Sequence, residues 1–531
     1  MPTPSISPFA GRYEIGSIFG KSGLPTPRGI EALRPNQQRA IEWALDQKVP
    51  YLLVNAPTGS GKTLIGLSWA LLNGADFSYA VHTTALQDQV ARTVPLPVIN
   101  GRGNYLCEIS QDIYGKVTSA AEGICAANQW CPHTGRANPQ PGVQPSDPAE
   151  YLEWQKANAA GHRCGYYSAR DAAMMSKRRI ANYSMLLTYK PLLEASPVLV
   201  CDEAHNIEEV VARTAEVYLS RRTLNRLGVR LPRRSTLTEW GLWANEVKLA
   251  PVIRGDSRPD FGHIAAQNAL TMIKRFGPAD EGRWLIDDDT TGVRFSPIWG
   301  RDFVVDRLFK HTRSALLMSA TLLGPEFIAD SLGLPDGSWT YLDLPSAFDP
   351  ARHPINYAPV VRMGKSTSDG DRRKMLLAID SLIARHLPSK GIVHAVSNVY
   401  RDEILQTSAY AGIMTSDPVE HERNPVSVLV ASNMIEGWDG HDDLCRFVIM
   451  PKVPFPYLGD RRVALRKDED SRSFDHRAVV SVVQGAGRGM RHADDWAVTY
   501  LLDESWKWLY GRRRGWLPQA FTDAYHHEVT I

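Results

Sequence analysis

The chain has 531 residues, of which 43% are hydrophobic and 22% are charged. At roughly 150 residues per domain, this length predicts about three to four domains and excludes a single small binding module. The composition is that of ordinary globular proteins, which excludes collagen-like, coiled-coil and largely disordered chains. The 60 Lys and Arg residues against 58 Asp and Glu residues give a net charge of +2, so a polyanionic partner must be met by local basic surface.

The sequence contains no signal for a membrane or for secretion. No stretch reaches the ~18–20 apolar residues that a membrane-spanning helix needs. The N-terminal segment contains Pro2, Pro4, Pro8, Arg12 and Glu14 in place of an apolar signal core. We therefore expect a cytoplasmic protein, in which clustered cysteines more often bind metal than form disulfides.

A phosphate loop is predicted from the alternation of strand and helix patterns. Apolar periodicity predicts a helix over 38–45, a buried strand over 51–55 and a helix over 64–72. The Gly-rich segment between the last two consists of Ala56, Pro57, Thr58, Gly59, Ser60, Gly61, Lys62 and Thr63. The glycines let backbone N–H groups approach phosphate oxygens, Lys62 supplies a charge to the β and γ phosphates, and Thr63 offers a hydroxyl to Mg²⁺. The segment predicts an ATP site, with a chance Gly-rich turn as the alternative.

Two adjacent carboxylates follow another buried strand. The apolar run 198–201 is followed by Asp202, Glu203 and His205, where doubly wound sheets place their ligands. Asp202 suits Mg²⁺ binding, and Glu203 suits activation of a water molecule. The alternative is a helix N-terminus whose acidic residues complement the helix dipole, but pairing with the phosphate loop favours catalysis.

These two motifs, in this order and about 140 residues apart, resemble those of superfamily 2 helicases. Ala56, where the usual phosphate-loop pattern has Gly, is a variant common in that superfamily. Five further segments resemble motifs of the family and occur in the same order along the chain. They contain Arg34 and Gln37; Thr83, Thr84 and residues 86–89; Ser319 and Thr321; residues 436–439; and residues 484–491. The last segment matches a Q-x-x-G-R-x-x-R pattern. The resemblance covers most of the chain.

The resemblance implies roles for individual side chains. The implied catalytic residues are Lys62, Asp202, Glu203, His205, Gln484, Arg488 and Arg491, and the implied nucleotide-binding residues outside the loop are Arg34, Gln37, Gly437 and Asp439. Gln37 would contact the adenine base. Arg488 and Arg491 would stabilise charge on the transferred phosphoryl group, an effect worth about 10³–10⁵ in rate for an arginine finger. Isolated arginines with this spacing are more often a solvated helix face.

Four of the six cysteines cluster in one 58-residue stretch. They are Cys107, Cys125, Cys131 and Cys164, separated by 17, 5 and 32 residues. This spacing fits neither zinc-ribbon pairs nor ferredoxins, and it leaves an iron–sulfur cluster, Zn²⁺ and free thiols open. The flanking segments 101–107 and 164–170 resemble those around the 4Fe-4S domain of XPD and DinG helicases, which implies such a cluster. Cys201 and Cys445, in apolar runs, are predicted to be core residues.

Three basic segments have two interpretations each. The six arginines between 221 and 234, and the segment 177–179, would either follow a phosphate backbone or form a solvated face. The aromatic residues of 506–516 lie beside the arginines 512–514 and would either stack on bases or pack a terminal helix. Packing is the favoured interpretation for the aromatic segment.

The resemblance implies an α/β fold class with two RecA-like (P-loop NTPase) domains, an Fe-S cluster insertion and a small, mainly helical, arch-like insertion. The expected bounds are 1–100, 169–215 and 301–345 for the first RecA-like domain, 101–168 for the Fe-S domain, 216–300 for the arch-like insertion and 346–531 for the second RecA-like domain. The implied protein is a monomeric ATP-dependent DNA helicase that acts on single-stranded and forked DNA with 5′ to 3′ polarity. Its cofactors would be ATP, Mg²⁺ and a 4Fe-4S cluster.

Two alternatives to a DNA helicase remain at this stage. An RNA or RNA–DNA hybrid helicase would have the same carboxylate motif, because that motif does not distinguish ribose from deoxyribose. A redox-sensing nucleic-acid binding protein with a vestigial ATPase would not need Lys62, Asp202, Glu203 and Arg491, which are all present.

Overall fold

A computed structural model of the protein describes residues 14–74, 76–107, 110, 115, 117–123, 164–249, 261–346, 348–432, 442–489 and 495–531. The strands of this described part are β1 Tyr51–Asn55, β2 Phe77–Val81, β3 Val98–Ile99, β4 Leu106–Cys107, β5 Thr118–Ser119, β6 Arg178–Asn182, β7 Val198–Asp202, β8 Val217–Ser220, β9 Trp284–Asp288, β10 Gly292–Pro297, β11 Ser314–Ser319, β12 Trp339–Asp343, β13 Ile355–Val361, β14 Gly391–His394, β15 Met414–Thr415, β16 Val428–Ala431, β17 Phe447–Met450, β18 Val498–Asp503 and β19 Tyr525–His526.

The α-helices of the same part are α1 Ile15–Lys21, α2 Pro35–Asp46, α3 Lys62–Leu72, α4 Thr84–Thr93, α5 Gly165–Met175, α6 Tyr183–Thr188, α7 Lys190–Glu194, α8 Ile207–Ala215, α9 Arg221–Arg226, α10 Leu237–Glu246, α11 Phe261–Ile273, α12 Arg301–Val304, α13 Pro325–Ser331, α14 Asp369–His386, α15 Asn398–Thr407, α16 Pro418–Arg423, α17 Arg461–Glu469, α18 Ser471–Ala486, α19 Ser505–Arg513 and α20 Gln519–Ala524. None of the helices found in these ranges is long and apolar enough to cross a membrane.

The first seven-stranded sheet carries the phosphate loop and defines domain 1. Its strand order is β12-β1-β11-β7-β2-β6-β3, and its pairings are parallel. Successive residues of β1 point to opposite faces, so Leu52 and Val54 enter one core while Leu53 enters the other. Helices cover both faces, which is why all of β1 is buried. Cys201 in β7 is fully buried in this sheet, as predicted.

A second seven-stranded sheet, which begins with β13, defines domain 2. Its order is β15-β16-β14-β17-β18-β13-β19, again with parallel pairings. Val479 and Val482 of α18 line the core on one face together with Cys445, while Ile379 of α14 lines the core on the other. Two such sheets with helices on both faces confirm the predicted α/β class with two RecA-like domains.

The first insertion leaves domain 1 after β3 and returns at α5. Its described part contains an antiparallel pair formed by β4 and β5. The ring of Tyr105 packs edge-on against Tyr166 of α5, with 5.7 Å between the ring centroids. This contact ties the outgoing and the returning chain together at the base of the insertion.

The second insertion combines helices with a sheet that the sequence pattern did not indicate. The helices α9, α10 and α11 accompany a three-stranded antiparallel sheet of order β8-β10-β9. In β8, Val217 and Leu219 are buried while Tyr218 is exposed, an alternation typical of an antiparallel sheet with one solvated face. The unit has its own core around Trp240 and Phe295.

Domains 1 and 2 meet through a cluster of ion pairs that we call the interdomain clasp. Its members are Glu208 and Glu209 of α8, Arg462 and Arg466 of α17, and Arg477 of α18. Arg466 is 4% exposed and contacts both oxygens of Glu208, with N–O distances of 2.6 and 3.0 Å. Glu209 accepts hydrogen bonds from Arg462 and Arg477. Burial opposes ionisation of Glu209, but these arginines hold its pKa at about 2.

Candidate nucleotide site

The phosphate loop turns sharply between β1 and α3. Gly59 and Gly61 have φ values of 76° and 77°, in the left-handed region that favours glycine. A Cβ added to Gly61 would lie 2.3 Å from Gln37 Nε2, so the position is also too crowded for a side chain. Lys62 begins α3, so the free N–H groups of the helix end accompany those of the loop. The arrangement fits a bound polyphosphate.

Gln37 is hydrogen-bonded at both ends of its side chain. Its Oε1 accepts a bond of 2.9 Å from the backbone N of Arg34, which caps α2, and its Nε2 donates to the Ser60 carbonyl at 3.0 Å. Arg34 Nη1 donates to the Gly59 carbonyl at 3.0 Å. Both residues thus support the loop from one side, and the contact of Gln37 with adenine stays a prediction.

Asp202 and Glu203 stand at the carboxyl end of β7, beside the loop. Lys62 Nζ lies 3.7 Å from Glu203 Oε1. Glu203 has a φ of 49°, which is unusual for a residue with a side chain and marks a strained turn. The turn directs the Glu203 carboxylate towards Lys62.

Asp202 is buried and has two hydrogen-bond donors. Tyr79 Oη donates to its Oδ2 at 3.0 Å, and the backbone N of Glu203 donates to its Oδ1 at 3.0 Å. Burial and the Glu203 charge raise the pKa of Asp202 to about 6, against the opposing effects of Lys62 and Tyr79. A carboxylate is the type of ligand that Mg²⁺ prefers.

Tyr79 of β2 is a residue of this site that the sequence analysis missed. Burial raises its pKa well above the ordinary value, the Asp202 charge adds to this rise, and a hydrogen bond from Thr63 opposes it. Tyr183, at the start of α6, is equally buried and donates to the Asp202 backbone carbonyl at 2.7 Å. Tyr79 stands in the apolar strand β2, where an aromatic residue normally signals a core position.

A chain of polar contacts leads from Glu203 to the end of β11. Ser319 Oγ donates to Glu203 Oε2 at 3.0 Å, and His205 Nδ1 lies 2.7 Å from Ser319 Oγ and 3.4 Å from Thr321 Oγ1. Burial opposes ionisation of Glu203, but Lys62, His205 and Ser319 hold its pKa below the ordinary value. Glu203 is therefore ionised near neutral pH, the state that a general base requires.

Domain 2 reaches the same site through the end of α18. Gln484 Nε2 lies 3.3 Å from His205 Nε2 and 3.3 Å from Thr321 Oγ1. A Cβ added to Gly487 would lie 3.9 Å from Thr58 Oγ1 of the phosphate loop. The structure thus brings the predicted residues of both domains to one cleft.

The remaining predicted nucleotide-site residues are only partly described. Arg488 lies half-buried in the turn after α18, and burial together with its charge lowers the pKa of His394 to about 4. Arg491, Gly437 and Asp439 lie outside the described residues. Their roles stay predictions.

Two of the four clustered cysteines stand at the base of the first insertion. Cys107 ends β4 and Cys164 precedes α5, and both are buried. Cys125 and Cys131 lie outside the described residues. Within the described ranges, no group of three or more His, Cys, Asp or Glu side chains is placed to hold a metal ion.

The basic segments divide into internal and exposed residues. Arg178 Nη1 donates to the Ser22 carbonyl at 2.6 Å and Arg179 is buried, so both guanidinium groups serve packing. Arg221 pairs with Asp288 at 2.5 Å. The other arginines of 221–234 are exposed: Arg222, Arg226, Arg230, Arg233 and Arg234.

The aromatic segment near the C-terminus mainly packs its helix, as predicted. Trp506 of α19 is fully buried in the core of domain 2, and Arg513 pairs with Asp475 at 2.8 Å. Trp508 differs, since it is 53% exposed with the Arg512 guanidinium 5.3 Å from its ring centroid. That ring and charge form a surface pair.

The segment after β2 also contains residues with structural roles. Thr83 Oγ1 accepts a bond of 3.3 Å from the Leu86 backbone N and so caps α4. Gln87 is fully buried and donates to the Ile99 carbonyl at 2.9 Å, which fixes β3 beside β6. Gln87 therefore serves the fold.

The fold and the site define a P-loop NTPase with two RecA-like domains that share one nucleotide cleft. Two family models match the chain: a helicase C-terminal domain over residues 374–523 and DEAD_2 over residues 115–224. The chain is thereby XPD/DinG-like in its domain composition.

Among curated proteins, the chain is similar to the ATP-dependent DNA helicase CHL1 of Vanderwaltozyma polyspora, with 29% identity over 115 residues, 17% of this chain and 14% of the relative. It is also similar to the ATP-dependent DNA helicase YoaA of Haemophilus influenzae, with 23% identity over 240 residues, 38% of this chain and 37% of the relative. The chain thus spans well under half the length of these relatives. A solved XPD helicase superposes with a TM-score of 0.59 at 16% identity, covering 94% of this chain and 100% of that structure, a likeness of fold.

Proposed function

We propose that the chain is an ATP-dependent DNA helicase, which couples ATP hydrolysis to movement along single-stranded DNA and to duplex unwinding. The observation that carries the proposal is the 3.3 Å contact between Gln484 of domain 2 and His205 of domain 1, beside the phosphate loop. A site completed by two domains changes shape when nucleotide binds or leaves, as a motor requires. The curated relatives, which are named as ATP-dependent DNA helicases, support DNA as the substrate.

Domain 1 would carry out the chemical step. The loop N–H groups and Lys62 would bind the phosphates, and Thr63 and Asp202 would hold Mg²⁺, which would supply positive charge to the phosphate groups. Because Lys62 Nζ lies 3.7 Å from Glu203, a γ-phosphate competes for Lys62 and frees the Glu203 carboxylate. Glu203, held by Ser319, then orients a water molecule and accepts its proton.

Domain 2 would complete the site when the cleft closes. Arg488 and Arg491 stabilise the charge that develops on the phosphoryl group, while Gly437 and Asp439 contact the nucleotide. Gln484 links the closure of the cleft to domain 1 through its contact with His205. Release of phosphate removes these interactions and reopens the cleft, which moves the strand.

We also propose that Cys107, Cys125, Cys131 and Cys164 bind a 4Fe-4S cluster. Cys107 and Cys164 are buried at the base of one insertion, and the DEAD_2 match includes the other two cysteines. Four thiolates are the usual ligands of such a cluster. Purified protein should contain iron and acid-labile sulfide, both lost in Cys107→Ser and retained in the core control Cys445→Ser. Stoichiometric zinc without sulfide would overturn the assignment.

The proposed partners are single-stranded and forked DNA, bound by a monomer that moves 5′ to 3′ in the cytoplasm. The exposed arginines of 221–234 support an electrostatic DNA path. Strand displacement with 5′-tailed, 3′-tailed and RNA–DNA hybrid substrates tests activity, polarity and sugar preference together. We expect ATP-dependent displacement of the 5′-tailed DNA and its loss in Lys62→Ala. An unchanged rate in Lys62→Ala, or no DNA-stimulated ATPase in the wild type, would refute the helicase function.

A further inference from the structure

We propose that Tyr79 is a positioning residue that orients Asp202, the carboxylate ligand of the Mg²⁺ ion. The inference rests on the proposed function, because it concerns the metal that accompanies ATP. Tyr79 lies within β2, outside every segment that resembles a helicase motif. Its role follows from its contacts alone.

The hydroxyl of Tyr79 faces the Asp202 carboxylate. Its proton is committed to Asp202 Oδ2, at an O–O distance of 3.0 Å. The backbone N of Glu203 donates to the other oxygen, Oδ1, also at 3.0 Å. The Asp202 carboxylate is thus held at both oxygens, by the phenol of β2 and by the backbone of the next residue.

The ring of Tyr79 is fixed in this place by close packing of α3. A Cβ added to Gly66 would lie 3.2 Å from Tyr79 Cε2 and 2.5 Å from Val200 Cγ1. The helix that begins at the phosphate loop therefore rests directly on β2 and β7. The phenol oxygen is therefore held beside Asp202 by the packing of α3 on the sheet.

A metal ion binds more readily to a carboxylate whose orientation is already fixed. Each carboxylate oxygen has two lone pairs, so Asp202 Oδ2 can accept from Tyr79 and the carboxylate can still bind the ion. Tyr79 therefore fixes the orientation in which Asp202 meets the ion. Groups that hydrogen-bond to metal ligands typically change metal affinity or activity by about 10–100-fold.

Tyr183 supplies a matched control. It is as buried as Tyr79, and its hydroxyl also contacts residue 202, but it donates to the backbone carbonyl at 2.7 Å. Tyr183→Phe therefore removes one buried hydroxyl and one hydrogen bond to the backbone of Asp202, while the hydrogen bonds of the Asp202 carboxylate remain. A general packing effect would appear in both variants.

The test measures binding of a fluorescent ADP analogue to the full chain over a titration of Mg²⁺, beginning in EDTA. In Tyr79→Phe we expect the Mg²⁺ midpoint to rise by about 10–100-fold while nucleotide affinity in EDTA stays at the wild-type value. In Tyr183→Phe the midpoint should equal that of the wild type. Because the expected defect is weaker Mg²⁺ binding, a high Mg²⁺ concentration should raise the kcat of Tyr79→Phe towards the wild-type value.

Three results would overturn the inference. An unchanged midpoint in Tyr79→Phe, or equal shifts in Tyr79→Phe and Tyr183→Phe, would contradict it while leaving the proposed function intact. A wild type that shows no Mg²⁺-dependent nucleotide binding would remove the proposed function and the inference together. If Tyr79→Phe does not fold, meta-fluorotyrosine at position 79 keeps the ring and makes the hydroxyl a stronger donor to Asp202, so its midpoint should move from the wild-type value and an unchanged one counts against the inference.

Discussion

His205 of domain 1 accepts a hydrogen bond at Nε2 from the side-chain amide of Gln484 of domain 2, with 3.3 Å between the nitrogens. Because the amide nitrogen can only donate, Nδ1 of His205 carries the ring proton and donates to Ser319 Oγ. Ser319 in turn donates to Glu203 Oε2. One directed chain of hydrogen bonds thus connects domain 2 with the proposed general base.

Gln484→Ala should weaken the coupling between DNA binding and ATP hydrolysis. The substitution removes the donor to His205, so the chain of hydrogen bonds no longer connects domain 2 with Glu203. We expect DNA stimulation of the ATPase to fall by about 2–30-fold, the effect of losing roughly 0.5–2 kcal/mol of coupling. Nucleotide affinity without DNA should change little. Gln519→Ala is the control, since Gln519 is exposed and bonds within its own helix to Asp523; equal losses in both variants would contradict the role of Gln484.

Glu203→Gln should separate ATP binding from ATP hydrolysis. The amide keeps the size of the side chain and an acceptor for Ser319, but it cannot take a proton from water. Hydrolysis in a single turnover should fall by about 10²–10⁴-fold, the usual contribution of a general base, while ATP still binds. Glu194→Gln, which alters a surface ion pair with Lys190, should leave both unchanged. Near-wild-type hydrolysis in Glu203→Gln would assign the base to another group.

The pH dependence of the ATPase should reveal Asp202. Its pKa of about 6 lies above the ordinary 3.8, so in the nucleotide-free protein it takes up a proton as the pH falls through 6. The protonated form is a poor Mg²⁺ ligand, so kcat/KM, which reports the free enzyme, should fall below about pH 6. Bound Mg²⁺ favours the carboxylate, so kcat should hold to lower pH. A kcat/KM that stays flat from pH 7 to pH 5 would contradict this assignment.

The raised pKa of Asp202 also makes the stability of the folded protein depend on pH. Between pH 3.8 and about 6 the folded protein binds a proton at Asp202 that the unfolded chain has lost. The contribution of Asp202 to stability is therefore present at low pH and is lost as the pH rises through this window. Mg²⁺ with nucleotide should remove this dependence, which thermal unfolding at several pH values would measure.

The interdomain clasp should respond to substitution as a buried ion pair. Arg466→Met leaves the Glu208 carboxylate buried without its bidentate partner, which costs about 3–5 kcal/mol, and adding Glu208→Gln should recover much of that loss. Arg461→Met is the control, because Arg461 is on the same helix and pairs with Asp287 at the surface, where a pair is worth about 0–1 kcal/mol. Denaturant unfolding checks both. The clasp would be refuted if Arg466→Met cost no more than Arg461→Met.

The parts of the site that local sequence could predict are those fixed by strand ends. Gly59 and Gly61 follow β1, and Asp202 is the last residue of β7, because parallel strands present their ligands at their carboxyl ends. Runs of apolar residues indicated buried parallel strands in two α/β domains, and the family resemblance implied that both are RecA-like. Cys201 and Trp506 were predicted as packing residues from their apolar surroundings, and both are fully buried.

The parts that sequence could not predict depend on distant pairing. Gln484 and His205 are 279 residues apart, and only the docking of two domains joins them. Tyr79 has the sequence surroundings of a core residue, and its hydroxyl acquires a partner only when β2 pairs with β7. The sheet of the second insertion escaped prediction because β9 and β10 include polar residues such as Asp287 and Arg294 and lack the continuous apolar run of a buried parallel strand. Glu208 and Arg466 each resemble an ordinary surface charge until α8 and α17 meet.

The clasp makes α8 a shared part of the two domains. The helix begins at Ile207, so it is continuous with the strained Glu203 turn at one end, while Glu208 and Glu209 bind it to α17 and α18 of domain 2. A rotation of domain 2 must therefore pull on the short segment that positions the proposed base. Substitutions in α17 should therefore change the rate of ATP hydrolysis, although the clasp arginines of this helix bind Glu208 and Glu209 and not the phosphate loop.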